Sequence, residues 1–245
     1  VLSVHAPRDP QATPWLAEGD AKRRAVQSMF AEIAGRYDLL NGLMSFNLHR
    51  RWRSAAVRTI QPPVGGIAVD VCSGTGDFLA PLRRAVGAQG TVVGLDFCRP
   101  MLEGAVGKTH VTGLTVGDAC RLPLRDACAD RVTVGWGIRN VPDMDAAHRE
   151  IARVLRPGGR FVSLDMAVPR NPVVGVGSRL VCRRVLPALG RLFGLSKAYT
   201  YLPESTLRFA TREALADSMR RAGFVDVHYR DFMMGNICMH WGTKA

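Results

Sequence analysis

This chain has little of what anchors redox or metal chemistry. It carries six cysteines, but no two stand at C-x-x-C spacing, which excludes a zinc knuckle and a thioredoxin-type centre. Unpaired cysteines with mostly apolar flanks fit a reducing cytosol. Aromatic residues are only 7% of the chain, too sparse for the stacking platforms of a single-strand nucleic-acid binder. No run of about 18 uncharged apolar residues occurs, so no transmembrane helix is expected. Residues 1–20 hold three prolines and lack the apolar core of a secretory leader, and they read as a loose tail. Acidic side chains are in the minority, 21 against 33 Lys and Arg, for a formal net charge of +12. Such a balance favours an anionic partner, whether nucleic acid, acidic membrane or phosphorylated substrate, or is simply a basic surface.

What is present suffices for one sizeable α/β domain: 245 residues, 47% of them apolar. The expected layout is the tail at 1–20 and a single domain at 21–245, with a helical cap at 21–60 and an insertion at 166–210. In the cap, Val26, Met29, Phe30, Ile33 and Tyr37 recur at helical spacing, with a break expected at Asn41-Gly42. Strands then alternate with helices: Ile67–Cys72, Thr91–Asp96, Leu114–Gly117, Arg131–Trp136 and Arg160–Asp165, with helices at Gly76–Ala85, Pro100–Gly107 and Asp145–Leu155. A helix opened by Thr211 and strands at Val225–Tyr229 and Asn236–Gly242 close the chain. This alternation predicts a parallel sheet with helices on both faces. Val173–Leu195 interrupts it. Arg179, Arg183 and Arg184 fall on one side of a helical wheel and Val181, Cys182, Val185 and Leu186 on the other, which reads as an amphipathic insertion or a helix packed on the sheet edge.

The stretch V-D-V-C-S-G-T-G-D, Val69 to Asp77, runs from strand into glycine-rich turn. Asp70, Gly74 and Gly76 follow the register of the loop that binds S-adenosylmethionine (AdoMet), not G-x-G-x-x-G. Gly74 and Gly76 allow a tight turn and close approach of backbone to ligand. Asp77 would compete with a pyrophosphate for the helix N-terminus but would attract a sulfonium and an ammonium. Asp96, ending T-V-V-G-L-D, suits two ribose hydroxyls. Asp118, after the third strand, suits an adenine amino group or a plain turn. Phe97, Met101, Ala119 and Gly135 complete the candidate cofactor set. No Asn-Pro-Pro-aromatic element follows the fourth strand, which argues against methylation of planar amines.

At this point a resemblance becomes specific. The chain resembles the C-methyltransferases of ubiquinone and menaquinone biosynthesis over residues 26–244. The residues that carry it are MFAEIAGRYDLLNGLMSF (29–46), DVCSGTGD (70–77), GLDFCRPML (94–102), VGWGIRNV (134–141), RVLRPGGR (153–160) and YLPES (201–205). The Val-Gly start of VGWGIRN looks more like the menaquinone branch. The resemblance implies a Rossmann-like class I methyltransferase with a mainly parallel seven-stranded sheet, an AdoMet site at Thr75, Asp96, Asp118 and Ala119, and a prenylated quinol as acceptor, most like a demethylmenaquinol. Departures are a shortened loop between Gly104 and Leu114, Asp165 where the family often has Glu, and Ser73 where cysteine or glycine is common.

Carbon methylation of a quinol needs an ionised hydroxyl, an aligned methyl donor and exclusion of water. Arg139 and Asn140 follow the fourth strand. The first would stabilise a phenolate, and the second would orient the hydroxyl or a water. Tyr37 would close the pocket and relay a proton, with Asp38 orienting it. The bland alternatives are a capping arginine, and core packing with a helix cap. No histidine stands out as a base: His110, His148 and His228 look peripheral, and His240 reads as a satisfied core residue. The expected setting is cytoplasmic with peripheral contact to an anionic membrane through 173–195, no specific nucleic acid, no metal, and a homodimer as a further partner expectation. Rivals are an RNA methyltransferase, a natural-product methyltransferase on the same scaffold, and an AdoMet-binding protein without turnover.

Overall fold

The computed structural model describes residues 16–108, 111–181, 184 and 196–245. Three helices come first: α1 (Gly19–Ile33), α2 (Tyr37–Ser45) and α3 (Leu48–Ile60). Then follow β1 (Ile67–Val71), α4 (Leu79–Val86), β2 (Thr91–Asp96), α5 (Arg99–Glu103), β3 (Gly113–Val116), β4 (Ala129–Gly135), α6 (Met144–Val154) and β5 (Leu155–Met166). Helices α7 (Pro172–Leu180), α8 (Ser196–Leu207) and α9 (Arg212–Arg221) and strands β6 (Phe224–Phe232) and β7 (Ile237–Lys244) complete it.

The strands form one seven-stranded sheet in the order β3-β2-β1-β4-β5-β7-β6. All pairs from β3 to β5 are parallel, and β7 runs antiparallel to both neighbours. The chain steps outward from β1 through β2 to β3, then crosses back to β4 on the other side of β1, so the crevice between β1 and β4 is the switch point where such sheets bind ligands. One face packs Trp52, Ile60, Phe78, Leu79 and Leu82 against Val92, Val162 and Leu164. The other packs Ile151, Leu215 and Met219 against Val132 and Phe161. Helix α1 joins neither layer. Its Val26 and Met29 meet Tyr201 of α8, with Phe30 and Phe97 at the side.

Several boundaries differ from the sequence expectation for local reasons. Helix α2 runs through Asn41-Gly42, and the break falls at Phe46 and Asn47, whose φ values are +49° and +59°. There Asn47 N–H donates to Gly42 O at 3.0 Å, and the left-handed conformation is one that asparagine tolerates. The first crossover helix starts at Leu79, because Gly74 (φ +55°) and Gly76 (φ +84°) hold the chain in turns. A Cβ at position 76 would lie 2.8 Å from Leu79 Cδ1 and 2.9 Å from Ala105 Cβ, so glycine is needed for packing there. Of the expected amphipathic insertion, α7 is helical, capped by Asn171 Oδ1, which accepts from Val173 N at 2.9 Å. Cys182, Arg183, Val185 and Leu186 lie outside the described residues. Within α7, Val173, Val176 and Leu180 are exposed.

Candidate active site

Two chambers meet at the C-terminal ends of β1, β2 and β4. The first is lined by Gly74, Asp96, Phe97, Met101, Gly117, Asp118, Ala119 and Gly135, with Cys72, Trp136, Asn140 and Arg23 around them. Asp96 is 6% exposed. Its Oδ2 accepts from Gly74 N and its Oδ1 from Cys98 N, both at 2.8 Å. Each oxygen keeps a lone pair for a ligand hydroxyl. Burial raises its pKa, against which the backbone N–H groups of Cys98, Gly74 and Phe97 favour the anion. Phe97 and Met101 supply an apolar wall beside it, with Ala119 also in the lining.

This donor set suits AdoMet. A carboxylate stands where a ribose is held, and among the described residues the only cationic side chain in the lining, Arg23, is spent on Asp118 at 2.8 Å. A pyrophosphate would meet carboxylates and no free cation. The chamber measures about 50 Å³, because α1 lies over it. Gln27 Nε2 donates to Phe97 O at 3.0 Å, and Lys22 Nζ to Val141 O at 2.8 Å.

Not all predicted residues meet here. Asp70 is buried in β1, accepts from Thr133 Oγ1 at 2.6 Å, and lies behind the chamber wall. Burial pushes its pKa up to about 7. Thr75 is 2% exposed and donates to Asp38 Oδ1 at 2.5 Å. Asp38 therefore ties α2 to the glycine loop and pairs with Lys108, and it does not orient Tyr37. Asp118 has both oxygens engaged, Oδ1 by Cys120 N at 2.8 Å and Oδ2 by Arg23. Asp77, expected beside the methyl donor, is not in the lining of the first chamber and pairs with Arg53 Nη2 at 3.0 Å.

The second chamber is a cavity of about 450 Å³. Met29, Ile33, Met44, Trp52, Met166 and Ile237 line it, and Tyr37, Phe30 and Trp136 stand in the walls of both chambers. Trp136 follows β4 at φ +55°, an unusual conformation for an aromatic residue and of the kind found at functional sites. Its N–H donates to Leu164 O at 2.6 Å. Neighbouring Gly137 is required, since a Cβ there would lie 2.4 Å from Cys72 Cβ.

Arg139 enters this cavity already paired. Its Nη1 donates to Asp165 Oδ1 at 2.7 Å and to Trp136 O at 2.8 Å. Burial alone would lower its pKa, but Asp165 raises it, so the guanidinium is held charged. Its Nε is buried without a partner. Arg53 is buried too, with Nε and Nη1 unpartnered and its Cζ 4.5 Å from the Trp136 ring centroid. Burial lowers its pKa, offset in part by Asp77. Asn140 is committed: Nδ2 donates to Trp136 O at 2.9 Å, and Oδ1 accepts from Tyr201 Oη at 2.7 Å. The Tyr37 phenol is pushed up by burial, against the lowering effect of Asn41 and the two arginines.

Sequence reasoning missed Arg23, Trp136, His49, Arg53, Asp165 and Tyr201 as site residues. Trp136 and Tyr201 stand in quoted motifs without a role, Asp165 enters only as a departure from the family, and H-R-R-W-R (49–53) carries no local signal beyond basic charge. His148 is not peripheral: it is fully buried, with Nδ1 2.7 Å from Ser218 Oγ, and burial lowers its pKa to about 4. His240 is a satisfied core residue, Nε2 lying 3.0 Å from Arg212 O.

The profile of the ubiE/COQ5 methyltransferase family matches residues 18–244. A demethylmenaquinone methyltransferase of Staphylococcus saprophyticus is 40% identical over 233 residues, covering 94% of this chain and 100% of that protein. A ubiquinone/menaquinone biosynthesis C-methyltransferase of Desulfotalea psychrophila is 41% identical over 227 residues, 91% of this chain and 92% of the relative. In fold the chain is similar to a SAM-dependent methyltransferase of Thermotoga maritima, with a TM-score of 0.64 at 22% identity over 90% of this chain and 100% of that one.

Proposed function

Because the chain belongs to the ubiE/COQ5 methyltransferase family, we propose that it is the AdoMet-dependent enzyme that methylates a ring carbon of a prenylated quinol, a demethylmenaquinol, in menaquinone biosynthesis. The observation that carries this is the pair of chambers: a carboxylate-lined pocket sharing Phe30, Tyr37 and Trp136 with a larger apolar cavity. When bound, AdoMet supplies an electrophilic methyl group on a sulfonium sulfur. Asp96 would hold its ribose, Phe97, Met101 and Ala119 would enclose the nucleoside, and Gly74 and Gly135 would bring backbone close to the remainder.

On the acceptor side the chain's own groups do three things. The apolar walls exclude water, which strengthens every electrostatic term inside. The unpartnered Nε of Arg139 offers a donor to a phenolate oxygen while Asp165 holds the guanidinium in place. Tyr201 fixes Asn140, which fixes the Trp136 carbonyl and the wall between the chambers.

A cavity of this size falls within the ordinary range for small-molecule sites. It encloses a quinol ring but not a long isoprenoid chain, which must continue outward. The elements around it expose Leu39 and Phe46 on α2 and its following turn, Val173, Val176 and Leu180 on α7, and Met234. Among the described residues no helix is long and apolar enough to cross a membrane. The exposed rim supports peripheral docking on a bilayer that delivers the substrate tail, and the excess of basic residues favours an anionic leaflet.

The test supplies purified protein with labelled AdoMet and either a demethylmenaquinol or bulk RNA. Label is expected in the quinol alone, and Arg139→Ala should abolish transfer while AdoMet still binds. Transfer to RNA, or none to the quinol, would remove the reading.

A further inference from the structure

The acceptor cavity contains a set of side chains that nothing above uses. Ser45 ends α2 and His49 lies in the first turn of α3, and both line the cavity. Ser45 Oγ is 2.5 Å from His49 Nδ1. On the far side of the imidazole, Nε2 faces Asp77 Oδ2 at 3.9 Å. His49 is 5% exposed.

We propose that Ser45, His49 and Asp77 form the proton relay of the acceptor cavity, with His49 taking the hydroxyl proton of the quinol through the Ser45 hydroxyl. This rests on the function proposed above, since it requires an acceptor whose hydroxyl must ionise. The relay uses the tautomer with the imidazole proton on Nε2, toward the Asp77 charge, so that Nδ1 accepts from Ser45. The Ser45 proton has an alternative acceptor in Asn41 O at 2.6 Å, so the hydroxyl can turn between the two. A carboxylate behind one imidazole nitrogen with a hydroxyl on the other is the arrangement that selects a tautomer and stabilises the imidazolium when it forms.

The surrounding charges set the resting state. Burial lowers the His49 pKa, and Arg53 and Arg50 on its own helix push the same way, against Asp77. Across the cavity Tyr37, Tyr201 and Arg139 are the other titratable or charged groups among the described residues of the lining. Asp77 and the Asn41 carbonyl oppose the lowering, but the net effect is a lowered pKa, which favours the neutral imidazole that a proton acceptor requires. Asp77 is shared: Arg53 Nη2 holds the same oxygen at 3.0 Å, so an imidazolium is stabilised without a second unpaired carboxylate.

The step balances as follows. The quinol hydroxyl proton passes to Ser45 Oγ as the Ser45 proton passes to His49 Nδ1. The oxygen lone pair moves into the ring, and the ortho carbon forms a bond to the methyl group. The methyl–sulfur bond breaks with its electron pair staying on sulfur. The ring carbon then releases its hydrogen to solvent while the imidazolium returns its proton to the oxygen, so one proton leaves per turnover.

Single-turnover methyl transfer to a demethylmenaquinol, with saturating AdoMet, tests the relay in the full chain. His49→Ala should slow transfer by about 100-fold or more, the usual size of a lost general base, with AdoMet affinity by calorimetry unchanged. Its rate should climb steeply with pH as the acceptor ionises in solution, where the native enzyme has levelled off, and added imidazole should restore part of it. Ser45→Ala should slow transfer less. His49→Gln, which keeps polar volume, should give the same rising profile and stands in if the alanine variant does not fold. A native rate in His49→Gln, or a slowed rate whose pH profile stays parallel to the native one and ignores imidazole, overturns the relay. Absence of quinol methylation by the native enzyme would instead overturn the function.

Discussion

The cofactor pocket and the acceptor cavity differ in what builds their walls. The first stands on strand ends. Asp96 is held by backbone N–H groups of Gly74 and Cys98, so its position follows from main-chain geometry. The second is assembled from α1, α2, α3, α7 and α8 and the turn at Met233–Gly235. Its polar groups are positioned by other side chains: Arg139 by Asp165, Arg53 by Asp77, and Tyr201 by Asn140 of the first chamber. A site made from backbone tolerates change around it, whereas one made from paired side chains fails when either partner is altered.

That contrast can be broken by experiment. The largest effect is expected from Asp165→Asn. Both side chains of its pair are nearly inaccessible, 6% for Arg139 and 3% for Asp165. Stranding a buried guanidinium costs about 3–5 kcal/mol, readable as a lowered denaturation midpoint together with lost methyl transfer. Unchanged stability would mean that acceptor-side pairs are not the framework argued here. Next comes Asp96→Ala. Hydrogen bonds to a charged group are worth about 1.5–3 kcal/mol, so AdoMet affinity by calorimetry should fall on the order of 100-fold with the acceptor side intact. A smaller loss, about 0.5–1.5 kcal/mol, is expected for Tyr201→Phe, which removes only the bond to Asn140. Tyr201 lines the acceptor cavity and Asn140 the cofactor chamber, so transfer should fall more than AdoMet affinity, and a larger effect on affinity would place this pair with the cofactor pocket.

The same contrast explains what could be read in advance. The alternating strands, Asp96 and the glycine turn were legible because strand period and turn chemistry are local. Asp96 and Gly74 then meet through one parallel pairing of adjacent strands. The acceptor side was not legible in that way. Tyr201 and Asn140 lie 61 residues apart, and Arg53 reads as one basic residue among several in H-R-R-W-R until α3 packs on the sheet. Asp77 misled for a related reason. Its neighbours in sequence suggest a ligand for the donor, but its partner is in an earlier helix. The break in the cap is expected at Asn41-Gly42 on residue type alone, whereas the helix runs through that pair and ends where Phe46 and Asn47 turn left-handed.

Helix α1 has one more implication. Gln27 and Lys22 fasten it across the cofactor pocket, while its Met29, Phe30 and Ile33 wall the acceptor cavity. One helix thus borders both chambers. Whichever ligand settles first restricts that helix and relieves the second of the same ordering cost, which couples the two affinities with a positive sign. Occupancy should then be ordered in time, donor before acceptor, since the narrower chamber is the one that α1 must uncover to be filled.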